Sequence, residues 1–356
     1  MEKSAYKIHI IGAGVSGLIA AQILENHGYH PIVIEASSTV GGRVKSDQVN
    51  GYTLDHGFQV LLTSYPAAKK YLNYDGLDLQ KLLPGATIFK NGKAQTIGDP
   101  LRSLSLLFPT LLSSIGTLSD KVKILKLNSL LKKKKITAIF KTKEKTTLQY
   151  LKDFGFSNEI ITYFFTPFFS GIFLETTLET SSRMFEFVYK MFGDGLAVIP
   201  KNGMQAIPNQ LKDNLKKTTF KFNSLVKEVK DKHIILEDGN TLQSHITIIA
   251  TDASPLISNL KNQETQWKSC DTLYFQTEKS VINKPLIGLL ADEDALINNI
   301  FYHTSVATLN KKSKGLLSVT VIKNHQLEEI ALIKKVVEEL YSKCAIKDVT
   351  FLKRYQ

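Results

Sequence analysis

The chain has 356 residues, 43% of them hydrophobic and 22% charged, with a formal net charge of +12. This length and composition exclude a disordered chain and leave room for two domains with buried cores, and no apolar run reaches the ~18 residues of a bilayer-spanning helix. The charge is local: ten lysines and one glutamate between positions 121 and 145 carry nine of the twelve net positive charges, so a nucleic-acid partner, which needs a broad basic surface, is not expected.

Lys3 and Lys7 precede an apolar stretch, but that stretch holds His9 and three glycines in a phosphate-loop pattern. It therefore reads as a first strand, Lys7 to Ile11, and not as a signal peptide. Gly12-Ala13-Gly14-Val15-Ser16-Gly17 follows at once, and Leu18 to Leu24 continue as a helix packed on a sheet and closed by Gly28. His30 to Glu35 reads as the second strand, and a loop then leads to Gly41-Gly42-Arg43. Tyr52 to Leu54 reads as a strand entering the turn Asp55-His56-Gly57. Asp99-Pro100 has the signature of a helix start, with Asp as N-cap and Pro at the first position. Leu101 to Leu118 is apolar but broken by Pro109, and Asp120 to Leu131 has helical periodicity with lysines opposite leucines. Residues 154–173 are dense in phenylalanine. Thr219–Val229, Lys232–Glu237 and Thr241–Ala250 read as strands, with Asp238-Gly239 as a hairpin turn. A helix is expected from about Gln326 to Tyr341. The two cysteines, Cys270 and Cys344, give neither a disulfide framework nor a zinc spacing, which suits a reducing, cytoplasmic location.

The chemistry sits in the glycines. A G-x-G-x-x-G between a strand and a helix has a mechanism. Gly12 allows the tight turn, Gly14 lets backbone approach a pyrophosphate, and Gly17 lets the helix pack close to the strand. The helix N-terminus, with Ser16 in its first turn, offers N–H groups and a partial positive charge to the phosphates. Glu35, eighteen residues past Gly17 and followed by Ala36, accepts hydrogen bonds from ribose hydroxyls and repels a 2′-phosphate, which favours FAD or NAD over NADP.

Glu35, five residues, then Gly41-Gly42-Arg43 resembles the flavoprotein amine oxidases, protoporphyrinogen oxidases and phytoene-type desaturases. The resemblance implies FAD as cofactor, with Gly41 and Gly42 bringing backbone beside it and Arg43 near pyrophosphate and flavin. A guanidinium fork suits a diphosphate. Tyr52-Thr53-Leu54-Asp55-His56-Gly57-Phe58-Gln59 is similar to the segment that passes the isoalloxazine ring in these families, which implies Gly57 and Phe58 beside the flavin. His56 is read as a turn residue in preference to an acid or base. Pro167 to Phe173 and Ile199 to Met204 resemble substrate-domain segments, and the strands from 219 to 250 resemble the piece where backbone near Val226 meets adenine.

What the resemblance implies is an α/β fold with an α+β second domain: a Rossmann-type FAD/NAD(P)-binding domain built from residues 1–75 and 206–256, with a substrate domain from 76–205 and 257–356. The expected activity is FAD-dependent dehydrogenation of a hydrophobic small molecule, polyene or isoprenoid-like in preference to an amine, with hydride passing to the flavin. These families close the flavin site with a C-terminal Gly-Asp segment, for which Gly193-Asp194 lies far too early. The chain is thus expected to lack that segment, and the alternative reading is a truncated, non-catalytic or partner-dependent fragment. No metal motif, Walker lysine motif or nucleophile elbow is present. Two patterns stay open. The Lys121–Lys145 window fits a solvated loop, which is preferred, or a peripheral contact with anionic lipid; the aromatic run fits a buried core, also preferred, or a substrate pocket.

Overall fold

The structure is a computed structural model that describes residues 2–260, 263, 265–307 and 314–356. It divides into two units: Met1–Asp47 with Ala67–Asp78 and Asn202–Trp267, and Gln48–Pro66 with Leu79–Lys201 and Lys268–Gln356.

The first unit holds β1 (Ile8–Ile11), α1 (Val15–Asn26), β2 (Ile32–Ile34), β3 (Thr219–Lys221), β4 (Val226–Lys230), β5 (His233–Leu236), β6 (Thr241–Gln243) and β7 (Ile246–Ile249). A parallel sheet in the order β3-β2-β1-β7 forms its centre. All four residues of β1 are buried, as a parallel strand covered on both faces requires. α1 places Leu18 and Ala21 in the core, and β4, β5 and β6 form a small antiparallel sheet. Its Val226, Ile234 and Leu236 pack with Ile11 and Ile34 at the carboxyl ends of β1 and β2.

Two stretches expected as single strands each change sheets. Thr219–Val229 breaks at Asn223, whose φ of 52° is left-handed, so β3 joins the parallel sheet and β4 the antiparallel one. Thr241–Ala250 breaks at buried Ser244, whose Oγ donates to Ile246 O at 2.8 Å. Both halves of each stretch are β-rich in sequence, so periodicity does not mark the break.

The second unit is built on a seven-stranded sheet in the order 349–355, 271–277, 315–321, 297–302, 287–290, 85–90, 93–98. Leu273, Phe275, Ile300 and Val319 cluster with Leu332, Val336 and Leu340 of the helix Glu329–Cys344. A second cluster joins Ile88 and Leu289 to Phe165, Phe169 and Phe185, so the aromatic run is core. Tyr52 and Leu54 are fully buried with Tyr274 and Leu316, which is why Gln48–Pro66 belongs to this unit and not, as expected from a boundary at 75, to the first.

Asp99-Pro100 does not start a helix. Asp99 Oδ1 accepts from Leu101 N at 2.9 Å, forming a turn, and α-helix begins only at Leu107, after a 3-10 turn at Leu104–Leu106. The helix Leu118–Lys133 that follows opens on a capping box of Thr117 and Asp120. The fully buried Asp120 carboxylate accepts from Thr117 N and Oγ1 at 2.8 Å, from Ser157 N at 2.9 Å and from Ser157 Oγ at 2.6 Å. Burial alone raises its pKa, but these donors outweigh burial and hold the carboxyl below its ordinary value. A folded pKa below the unfolded one stabilises the protein above about pH 3.9, and that contribution is lost as pH falls through the folded value. Asp120→Ala is expected to cost about 2 kcal/mol in urea unfolding at pH 7, with the gap to wild type closing as the pH is lowered past about 4.

Candidate functional site

The parallel sheet changes direction at β1: β2 lies on one side of it and β7 on the other. Crevices outside the carboxyl ends of parallel strands at such a switch point are where α/β sheets take ligands. The first unit gathers four loops there. Gly12 N donates to Ile34 O at 2.8 Å, Ala250 N to Ile11 O at 2.9 Å, Ser224 N to Glu35 O at 2.9 Å and Asn223 N to Ser37 O at 3.0 Å.

Each glycine of the first loop is glycine for a different reason. Gly12 has φ 100°. A Cβ on Gly17 would lie 2.0 Å from Gly12 O, so only glycine lets α1 start this close to the turn. Gly14 has neither constraint: its φ is −70° and the nearest atom to a Cβ there is Gly41 O at 3.9 Å. The protein leaves the space over Gly14 open, beside the first turn of α1 with exposed Ser16. The first N–H groups of a helix have no partner within it and carry its positive dipole end, which is what a phosphate requires.

The second glycine loop closes against the first. Gly41 N donates to Ala13 O at 2.9 Å, Gly14 and Gly41 form a parallel bridge, and Gly42 sits with φ 59° facing Gly14. Arg43 is exposed, its guanidinium 5.1 Å from the ring centre of Trp267. The Trp267 indole N–H in turn donates to Asp252 Oδ2 at 3.2 Å, just beyond the end of β7. The Gln205 amide donates to Val40 O at 2.8 Å and backs Gly41.

Glu35 is more engaged than its sequence position suggests. Its Oε2 accepts from Ala13 N at 2.7 Å, and Oε1 from Ser37 N and Oγ, both at 2.8 Å. The carboxylate braces the glycine loop, and these three donors leave about one of its four acceptor positions for a ribose hydroxyl. Ala36 beside it is exposed, and Val226 lies in the core at the start of β4.

Of the expected site residues, the structure thus brings those from Gly12 to Arg43 around one cradle in the first unit. Gly57 and Phe58 belong to the second unit. Gly57 turns with φ 106°, and the Phe58 ring lies 4.8 Å from Phe301 and 6.2 Å from His303. His56 stacks on Tyr355 at 4.3 Å, and Tyr274 OH donates to Asp55 O at 2.9 Å, giving this turn an aromatic bed. Burial pushes the His303 pKa down to about 4, so its ring is neutral at pH 7. Ser37, Gln205 and Trp267 were not legible as site residues: Ser37 had only its nearness to Glu35 as a signal, and Trp267 lies fifteen residues from Asp252 with no motif between them. Among the described residues no group of three or more His, Cys, Asp or Glu is placed to hold a metal ion.

The sequence model of the family described as flavin containing amine oxidoreductase matches residues 15–345. Protoporphyrinogen oxidase 2 of Arabidopsis thaliana is 28% identical over 172 residues, which is 47% of this chain and 32% of that protein. Hydroxysqualene dehydroxylase of Zymomonas mobilis is 40% identical over 72 residues, 20% of this chain and 17% of that protein. The chain therefore spans a third or less of the length of these curated relatives. An oxidoreductase structure from Methanosarcina mazei superposes with a TM-score of 0.73 at 17% identity, covering 98% of this chain and 87% of that one, and shows the same fold.

The close approach at Gly17 has a measurable consequence. Gly17→Ala forces α1 away from the turn and is expected to lower stability by about 3 kcal/mol in urea unfolding; an unchanged midpoint would mean that the helix does not start this close to the loop.

Proposed function

Because the chain belongs to the flavin containing amine oxidoreductase family, we propose that it is an FAD-dependent oxidoreductase that dehydrogenates a hydrophobic small molecule. The observation that carries the FAD assignment is Gly14, where neither backbone conformation nor protein contact demands glycine and a Cβ would fill the space above the start of α1. That is the signature of backbone kept bare for a ligand, and the dipole end of α1 sets the ligand's charge as negative. In this reading the cradle of Gly12 to Gly17 holds the diphosphate, and Arg43 neutralises it, kept in place by the Trp267 ring. Glu35 holds the Ala13 N–H and orients the loop, and its remaining acceptor position takes the adenosine ribose. Bound flavin supplies the hydride acceptor, so the protein need provide few groups that react. An isoprenoid-like substrate is favoured over an amine, in keeping with the name of the hydroxysqualene dehydroxylase relative.

The test is the visible spectrum of the purified chain after incubation with FAD and gel filtration, for wild type and Gly14→Ala. Wild type is expected to elute with a flavin band. Gly14→Ala is expected to keep its thermal midpoint while losing about tenfold or more in FAD affinity, or about 1.4 kcal/mol. A wild-type chain that elutes colourless, or a variant that binds FAD as tightly as wild type, overturns the assignment.

A further inference from the structure

The second unit exposes an apolar surface that its own core does not explain. Leu101, Leu104, Phe108, Leu112 and Leu118 are 72 to 83% exposed, and Val122 and Leu125 are 59% and 41% exposed. Leu107 and Leu111 are exposed as well; single exposed leucines are ordinary, but nine large apolar side chains between positions 101 and 125 are not.

Part of this surface is one helix face. On the helix Leu118–Lys133, Leu118, Val122 and Leu125 fall on one stripe by their spacing, while Asp120, Leu127 and Leu131 face the core on the opposite side. Lys121 Nζ donates to Ser113 O at 2.9 Å, and Asn128 Nδ2 to Asp99 Oδ2 at 3.5 Å. Two turns apart on one flank of the helix, these bonds staple it to both ends of the 99–113 segment. The exposed side chains of 101–112 therefore lie on a segment that runs alongside the stripe.

A basic rim adjoins it. Lys132, Lys133, Lys135, Lys141 and Lys143 are exposed, and among the described residues no ion pair joins them. The one acid of the 121–145 window and the acid just before it are committed elsewhere: Glu144 lies 3.7 Å from Arg183, and Asp120 is buried on Thr117 and Ser157. Among the described residues no helix is long and apolar enough to cross a membrane, so the surface has the character of a face laid on a boundary and not of a span.

We propose that this face docks on a bilayer carrying anionic headgroups, with Leu101, Leu104, Phe108 and Leu112 entering the acyl boundary and the lysines at the level of the phosphates. Charge complementarity selects this occupant. A second copy packed by a two-fold axis would set the same lysine rim against itself with no free carboxylate to answer it. An anionic lipid surface answers every lysine, at roughly a fivefold gain in affinity for each one near the surface. The proposal stands independently of the flavin reading, since none of these residues belongs to the cradle.

The test is co-sedimentation of the full 356-residue chain with phosphatidylcholine vesicles and with vesicles that also contain phosphatidylserine. Binding is expected with phosphatidylserine present and is expected to weaken as salt rises. Phe108→Asp with Leu112→Asp is expected to reduce binding at least tenfold with an unchanged thermal midpoint, because both side chains are exposed. Lys132→Glu with Lys133→Glu is expected to remove only the phosphatidylserine-dependent part. A chain that binds neither vesicle, or a leucine and phenylalanine double variant that binds like wild type, overturns the proposal. So does self-association, seen by light scattering, that the same double variant abolishes while vesicles have no effect, since a second copy is then the occupant.

Discussion

One carboxylate holds the candidate site together. Glu35 stands at the end of β2, yet it reaches the glycine loop after β1 through Ala13 N and fixes its own turn through Ser37. Without it, two loops that present polar backbone to a crevice would have to keep their conformations alone. With it, Gly12 turns, Gly41 meets Ala13, and the start of α1 is aimed outward beside Gly14. The residue that a sequence motif assigns to ribose recognition is thus also a structural brace, and the two roles are compatible because a carboxylate has more acceptor positions than the brace consumes.

Much of the first unit was legible because its signals are steric. A glycine needed for a positive φ at Gly12, or for a near-contact at Gly17, leaves no substitute, so spacing alone fixes where the strand ends and the helix begins. The hairpin at Gly239 was legible for the same reason, as its φ of 87° requires. The sheet changes at Asn223 and Ser244 were not, because β-branched stretches look alike whichever sheet they join. Gln48–Pro66 was misplaced because its partners, Tyr274 and Leu316, lie more than two hundred residues away. The turn at Asp99 was mistaken for a helix start because an Asx turn and an N-cap use the same residue in the same way.

The second unit shows how composition misleads in the other direction. Residues 101–112 are largely apolar, yet the core beside the sheet is built on Phe165, Phe169 and Phe185. Nine large apolar side chains between 101 and 125 are left outside, near Lys132, Lys133 and Lys135, which no ion pair joins among the described residues.

The central claim is that the cradle of the first unit takes FAD. Trp267 is the single tryptophan of the chain and lies 5.1 Å from Arg43, so its fluorescence reports on that cradle alone. Titrating FAD into the protein while recording this emission is expected to give saturable quenching that NAD does not reproduce. Emission unchanged by FAD, or quenched equally by NAD, would contradict the account.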